Sequence, residues 1–163
     1  MRVLMLTWEY PPRSVGGVAA HVDGLSHAMA AAGHDVALLT LAHPGAPADA
    51  LAGGVRVLRA RTDLPWLPDD DLVARVASAN HHLVQLSTRL VPWRPDIVHA
   101  HDWQVAWAAD TLAALFDATL IATFHGTSRG HHGGRVPPGE PQAPPGIYTE
   151  FTPIPPQSGA DRG

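Results

Sequence analysis

The chain opens on Val3-Leu4-Met5-Leu6, passes through Trp8-Glu9-Tyr10-Pro11-Pro12 to Gly16-Gly17, and then sets Val18, Val22, Leu25, Met29 and Ala32 at helical spacing. A short, nearly continuous apolar run is the pattern of a strand buried on both faces of a parallel sheet. The spaced residues form one apolar helix stripe, and Gly33 follows where a helix C-terminal cap belongs. Strand, glycine turn and helix in that order are the opening unit of an α/β fold.

Working outward, Val36 to Leu41 reads as a second buried strand, and Val55 to Arg59 as a third whose partial alternation suggests a place nearer the sheet edge. After a proline-bearing loop, Asp69-Asp70-Asp71 stands at the positive end of a predicted helix. That helix is expected to carry Leu72, Val76, Leu83 and Leu90 inward and to stop near Pro92. Asp96 to Ala100 is a fourth strand, Val105, Ala109, Leu112 and Phe116 line a third helix, and Leu120 to Phe124 is a fifth strand. Alternating strands and helices predict a doubly wound, mostly parallel sheet whose ligand crevice lies at the carboxyl ends of the strands.

The texture changes at Gly126: eight of the 16 Pro and eight of the 15 Gly fall in the last 38 residues, with few aliphatics among them. Such a segment cannot bury a core. The expected organisation is one domain over residues 1–125 and an irregular, disordered Pro/Gly-rich tail over 126–163.

A chain of 163 residues with 45% hydrophobic residues suffices for one such domain and not for two. The net charge of -4, without blocks of one sign, gives no footprint for nucleic acid or an anionic membrane. All 11 basic residues are Arg, which excludes a Walker-type phosphate loop and a lysine Schiff base. Cysteine is absent, so disulfides and thiolate chemistry are excluded and a reducing cytoplasm is the expected compartment. The opening residues lack the marks of a signal peptide, and no membrane span is expected.

Chemistry-bearing residues gather after strands. Gly16-Gly17 precedes the first helix, where backbone can approach a ligand and helix amides can face a phosphate; a tight turn that merely requires glycine remains the alternative. No third glycine follows at the dinucleotide spacing, which disfavours a nicotinamide dehydrogenase. Glu9 is the only Glu before the tail and is either a crevice contact or a surface acid. In His99-Ala100-His101-Asp102-Trp103 the two histidines share one side of an extended segment, and Asp102 is placed to cap the third helix. Imidazole there can hydrogen-bond a sugar hydroxyl or exchange a proton near neutral pH; a structural histidine is the alternative. A metal reading of His99 and His101 would need further ligands from other strand ends, in a barrel for which this chain is too short. Thr123-Phe124-His125-Gly126 leaves another histidine just past a strand. The doublets His81-His82 and His131-His132 are assigned to surface.

In that order, Trp8-Glu9-Tyr10-Pro11-Pro12, Gly16-Gly17, Gly33-His34-Asp35-Val36, Pro95 to Trp103 and Thr123-Phe124-His125 resemble bacterial glycogen and starch synthases and related retaining glycosyltransferases of the GT-B fold. The resemblance implies a Rossmann-like N-terminal half that holds the acceptor, facing a second half that binds a nucleotide-sugar donor. It implies that Gly16 and Gly17 lie near the donor diphosphate, that His101 contacts the transferred hexose as the catalytic histidine, and that Glu9 and His125 line the cleft. Asp102 is counted with them as a substrate-side residue. The implied reaction is hexose transfer from an ADP- or UDP-sugar to an acceptor hydroxyl with retention, without cofactor or metal. The family's lysine before the paired glycines is replaced here by Arg13 or Ser14, which leaves room for a relative with another acceptor.

No paired-glutamate motif of the donor half is present; Glu140 and Glu150 have a different spacing. The chain is therefore expected to be inactive alone, as a truncated or prematurely ended enzyme. The competing expectation is a non-catalytic, glycan-binding Rossmann-like module, or one that works with a separate donor-domain chain.

Overall fold

The computed structural model describes residues 1–14, 16–62 and 71–125. The expected tail, Asp69, Asp70 and the His131-His132 doublet lie outside them. Six strands form one sheet: β1 (Arg2–Thr7), β2 (Asp35–Leu41), β3 (Asp49–Ala52), β4 (Val55–Ala60), β5 (Ile97–His101) and β6 (Thr119–Thr123), in the order β3-β4-β2-β1-β5-β6. All neighbours are parallel except β3 and β4. The chain first builds outward from β1 on one side, then crosses to β5 and β6 on the other. β1 and β5 therefore flank the switch point, where an open α/β sheet leaves a crevice at its strand ends.

Three helices cover the sheet: α1 (Gly17–Ala31), α2 (Leu72–Leu86) and α3 (Ala106–Phe116). Val3, Met5, Val36, Leu38, Val55 and Val57 pack with Val22 of α1 on one face. Leu4, Leu6, Leu39, Leu58 and Val98 pack with Leu83 of α2 and Leu112 of α3 on the other. Alternate residues of each apolar strand thus feed two cores, which explains the unbroken runs in β1 and β2.

Helix α1 ends as Gly33 predicted. Gly33 has φ +85, its N–H donates to the Ala30 carbonyl, and His34 N–H donates to the Met29 carbonyl. This double bond pattern closes a helix through a left-handed residue. Space around Gly33 is open, so Gly33→Ala is expected to cost only the left-handed backbone penalty, about 1–2 kcal/mol in chemical denaturation. A neutral result would remove the conformational role.

Two expectations are corrected. β3 is an unpredicted edge strand: Asp49-Ala50-Leu51-Ala52 has weak strand propensity, but Gly53 (φ +53) and Gly54 (φ +82) form a two-residue hairpin turn that lays it on β4. Val55 to Ala60 is accordingly second from the edge. Leu72, expected inward, is 43% exposed. It is the first residue of α2, beside Asp71, whose carboxylate caps the helix by accepting from Ala74 N–H at 2.9 Å. Val76, Leu83 and Leu90 are buried as expected, Leu90 on a 3-10 turn after α2.

Candidate functional site

The loop after β1 is held from below. Thr7 Oγ1 donates to the Glu9 carbonyl at 2.9 Å, and buried Arg59 of β4 donates to the carbonyls of Pro11 (2.9 Å) and Pro47 (3.1 Å). Its guanidinium also lies 5.9 Å from the Tyr10 ring centroid. Burial pushes the Tyr10 hydroxyl up to about 12 and lowers Arg59 from its ordinary value. Sequence reading did not single out Arg59; its signal is an arginine in a strand otherwise buried.

This loop delivers Glu9 to the start of α1, where its Oε2 accepts from Gly16 N–H at 3.2 Å. Gly16 is the N-cap of α1, in extended backbone with φ -155. Neither Gly16 nor Gly17 has a positive φ, and a Cβ at either would meet nothing within 4 Å. The tight-turn alternative therefore loses its basis, and the space above both glycines is open.

The strand-end histidines form a second group. His101 is 1% exposed at the end of β5, and its Nδ1 lies 3.1 Å from Nε2 of His125, which follows β6. His21, four residues into α1 from Gly17, brings its ring centroid to 4.7 Å from His125 and 5.9 Å from His101. His21 stands one helical turn from Gly17, so α1 links the paired glycines to the histidine cluster, in which His101 and His125 are in contact. His21 was missed: in sequence it sits among helix residues with nothing to mark which face it takes.

His99 is on the same face as His101, with ring centroids 4.2 Å apart, as alternation predicted. Its Nε2 is 2.8 Å from Thr123 Oγ1, so it bridges β5 to β6 and is not a second ligand of a His-x-His pair. Asp102 does not cap α3. At φ 65 its side chain turns across to β6, and Oδ1 accepts the His125 N–H at 2.7 Å. The backbone at Asp102, with φ 65 and ψ 169, lies in a region that residues bearing side chains rarely adopt, and it redirects the carboxylate from the helix to the residue after β6. His81 and His82 lie on α2, away from this cluster; His81 is exposed and His82 half-buried.

Burial, followed by the charges of His99, His125 and His21, pushes His101 down to about 3. His99 is lowered by burial and then by His21 and His125. Of the two capacities expected for this imidazole, burial favours hydrogen bonding by a neutral ring over proton exchange near neutrality. Its Nε2 is buried without a hydrogen-bond partner among the described residues. A buried polar atom left unpaired costs about 1–3 kcal/mol, so a group that pairs with it gains by that amount.

A mostly parallel α/β sheet with a glycine-led helix and polar side chains at its switch point defines a Rossmann-like domain. Residues 15–145 match Glycosyltransferase Family 4, and the chain belongs to that family. Glycogen synthase of Mycobacterium tuberculosis is 40% identical over 149 residues, which are 83% of this chain and 36% of that protein. Alpha-maltose-1-phosphate synthase of the same organism is 33% identical over 130 residues, 77% of this chain and 28% of that protein. The chain therefore spans about a third of the length of these curated relatives. The fold is shared with the catalytic domain of starch synthase IV from Arabidopsis thaliana bound to ADP and acarbose, at TM-score 0.62 and 20% identity over 77% of this chain and 34% of that one. It is shared equally with sucrose-phosphate synthase from Thermosynechococcus elongatus, at TM-score 0.61 and 19% identity over 77% and 33%. The Rossmann-like half of a GT-B enzyme expected from the sequence is the fold found. Among the described residues, no helix is long and apolar enough to cross a membrane.

Proposed function

We propose that residues 1–125 form the acceptor-side domain of a cytoplasmic, nucleotide-sugar-dependent hexosyltransferase related to glycogen synthase, transferring a hexose to an acceptor hydroxyl with retention. The observation that carries this reading is a strand-end histidine pair linked to a glycine-led helix through His21: a Cβ at Gly16 or Gly17 would meet nothing within 4 Å, and His101, bonded to His125 through Nδ1, keeps a buried Nε2 without a partner among the described residues. The first-turn amides of α1 from Gly17 onward have no partner within the helix and stand at the positive end of its dipole, which suits a diphosphate; the Gly16 N–H is held by Glu9. The Nε2 of His101 suits a sugar hydroxyl, which can donate to or accept from a neutral ring. Glu9, His125 and Asp102 serve as the substrate-side lining, Asp102 by holding His125 in place.

The second wall of the cleft belongs to a donor half, from the same polypeptide or a separate chain. Stabilising a leaving diphosphate takes preorganised positive groups on both sides of it. Residues 1–163 by themselves are accordingly expected to bind ADP-glucose or UDP-glucose weakly and to transfer no hexose. Calorimetry with these donors tests the reading. Because a Cβ at Gly17 meets open space, Gly17→Val should fold normally yet lower donor affinity by about tenfold, or 1.4 kcal/mol. Unchanged affinity in that variant, or hexose transfer by the 163 residues alone, would overturn it.

A further inference from the structure

We propose that His21, His101 and His125 form a binding site for one divalent transition ion of the zinc class, with a fourth coordination position open to solvent. Each residue offers one ligand atom, and these atoms all lie within 4.8 Å of one another. Two nitrogens on one tetrahedral zinc, at bond lengths of 2.0–2.1 Å, stand about 3.3 Å apart. His101 Nδ1 and His125 Nε2 are already at 3.1 Å, so the pair needs little movement to share an ion.

The donor set selects the ion. Three imidazoles suit zinc, copper or nickel, whereas magnesium and calcium require oxygen ligands. The site is also built from separate elements: His21 from α1, His101 from β5 and His125 beyond β6. The Asp102 carboxylate fixes the His125 backbone, and His21 is exposed, which leaves a path for the ion from solvent. In the metal-free pair one proton lies between His101 Nδ1 and His125 Nε2, and an ion taking both lone pairs moves that proton to an outer ring nitrogen or to solvent. His99 is left out because its Nε2 is engaged with Thr123. An ion held here would occupy lone pairs in the cluster assigned above to the hexose, so metal and sugar would compete. The binding itself does not depend on that assignment.

The test is titration of the metal-free 163-residue chain with zinc against a chromophoric chelator, repeated with cobalt to follow its visible absorption. The expected result is one ion per chain with Kd of about 10 µM or tighter. His21→Ala and His125→Ala should each weaken binding by about tenfold or more, since even groups supporting a ligand are worth that much. His21 is exposed, so its variant tests the site without risk to the core, and circular dichroism verifies folding. The double variants His81→Ala/His82→Ala and His131→Ala/His132→Ala should bind like the parent. No binding, retained affinity in His21→Ala, or loss in either doublet variant would overturn the proposal.

Discussion

Between pH 7 and pH 4.5 the chain, kept metal-free with a chelator, is expected to lose about 2.5 kcal/mol of stability through His101 alone. An unfolded histidine takes up its proton near pH 6.5, while the folded ring at the end of β5 does not until about pH 3. Below 6.5 the unfolded chain therefore binds a proton that the folded chain refuses. The stability is intact above 6.5 and declines by about 1.4 kcal/mol per pH unit as pH falls toward 3. His99, also lowered by burial, acts in the same direction. Denaturant titrations at the two pH values measure the loss, and His101→Leu should flatten the profile by the amount assigned to His101. An identical profile in the variant, or a His101 ring that titrates by NMR near its ordinary value, would sink the account.

Asn80→Leu is expected to destabilise the chain by about 3–4 kcal/mol. Asn80 of α2 is buried, its Nδ2 donates to the carbonyls of Val76 and Gln104 at 2.7 Å each, and its Oδ1 accepts Ala108 N–H at 2.7 Å. The first N–H groups of a helix have no partner within it. In α3 the N-cap Val105 offers no side-chain bond, and the carboxylate of Asp102 is turned toward His125. Asn80 thus caps α3 from a neighbouring helix. Leucine of similar size would fill the space and leave the Ala108 N–H and the Gln104 carbonyl buried without that partner. Unfolding in urea measures the change, and a loss below about 1 kcal/mol would mean that water or backbone shifts replace these bonds.

The same two residues mark how far sequence reading reached. Strands β1 and β2 were legible because each is a nearly unbroken apolar run, which burial on both faces demands, while β4, β5 and β6 were legible as short stretches rich in aliphatic residues between loop and helix signals. Helix α1 was legible from its apolar period and Gly33, because a helix closes most easily through a residue free to take positive φ. The site was legible in part: Gly16, Gly17, His101 and His125 stand out because each follows or terminates a predicted element.

Pairing across the fold was not legible. That His21 completes the histidine cluster depends on how α1, packed on β1, β2 and β4, carries that ring to His101 and His125. That Asp102 serves His125 and Asn80 serves α3 depends on the positive-φ backbone at Asp102 and on α2 lying beside α3. Local sequence sets the dihedral preference and the apolar stripe of each element, since those arise between near neighbours in the chain. Which polar groups meet, and hence the uncharged state of His101, comes from desolvation and contacts among residues tens of positions apart, and only the packed sheet brings those together.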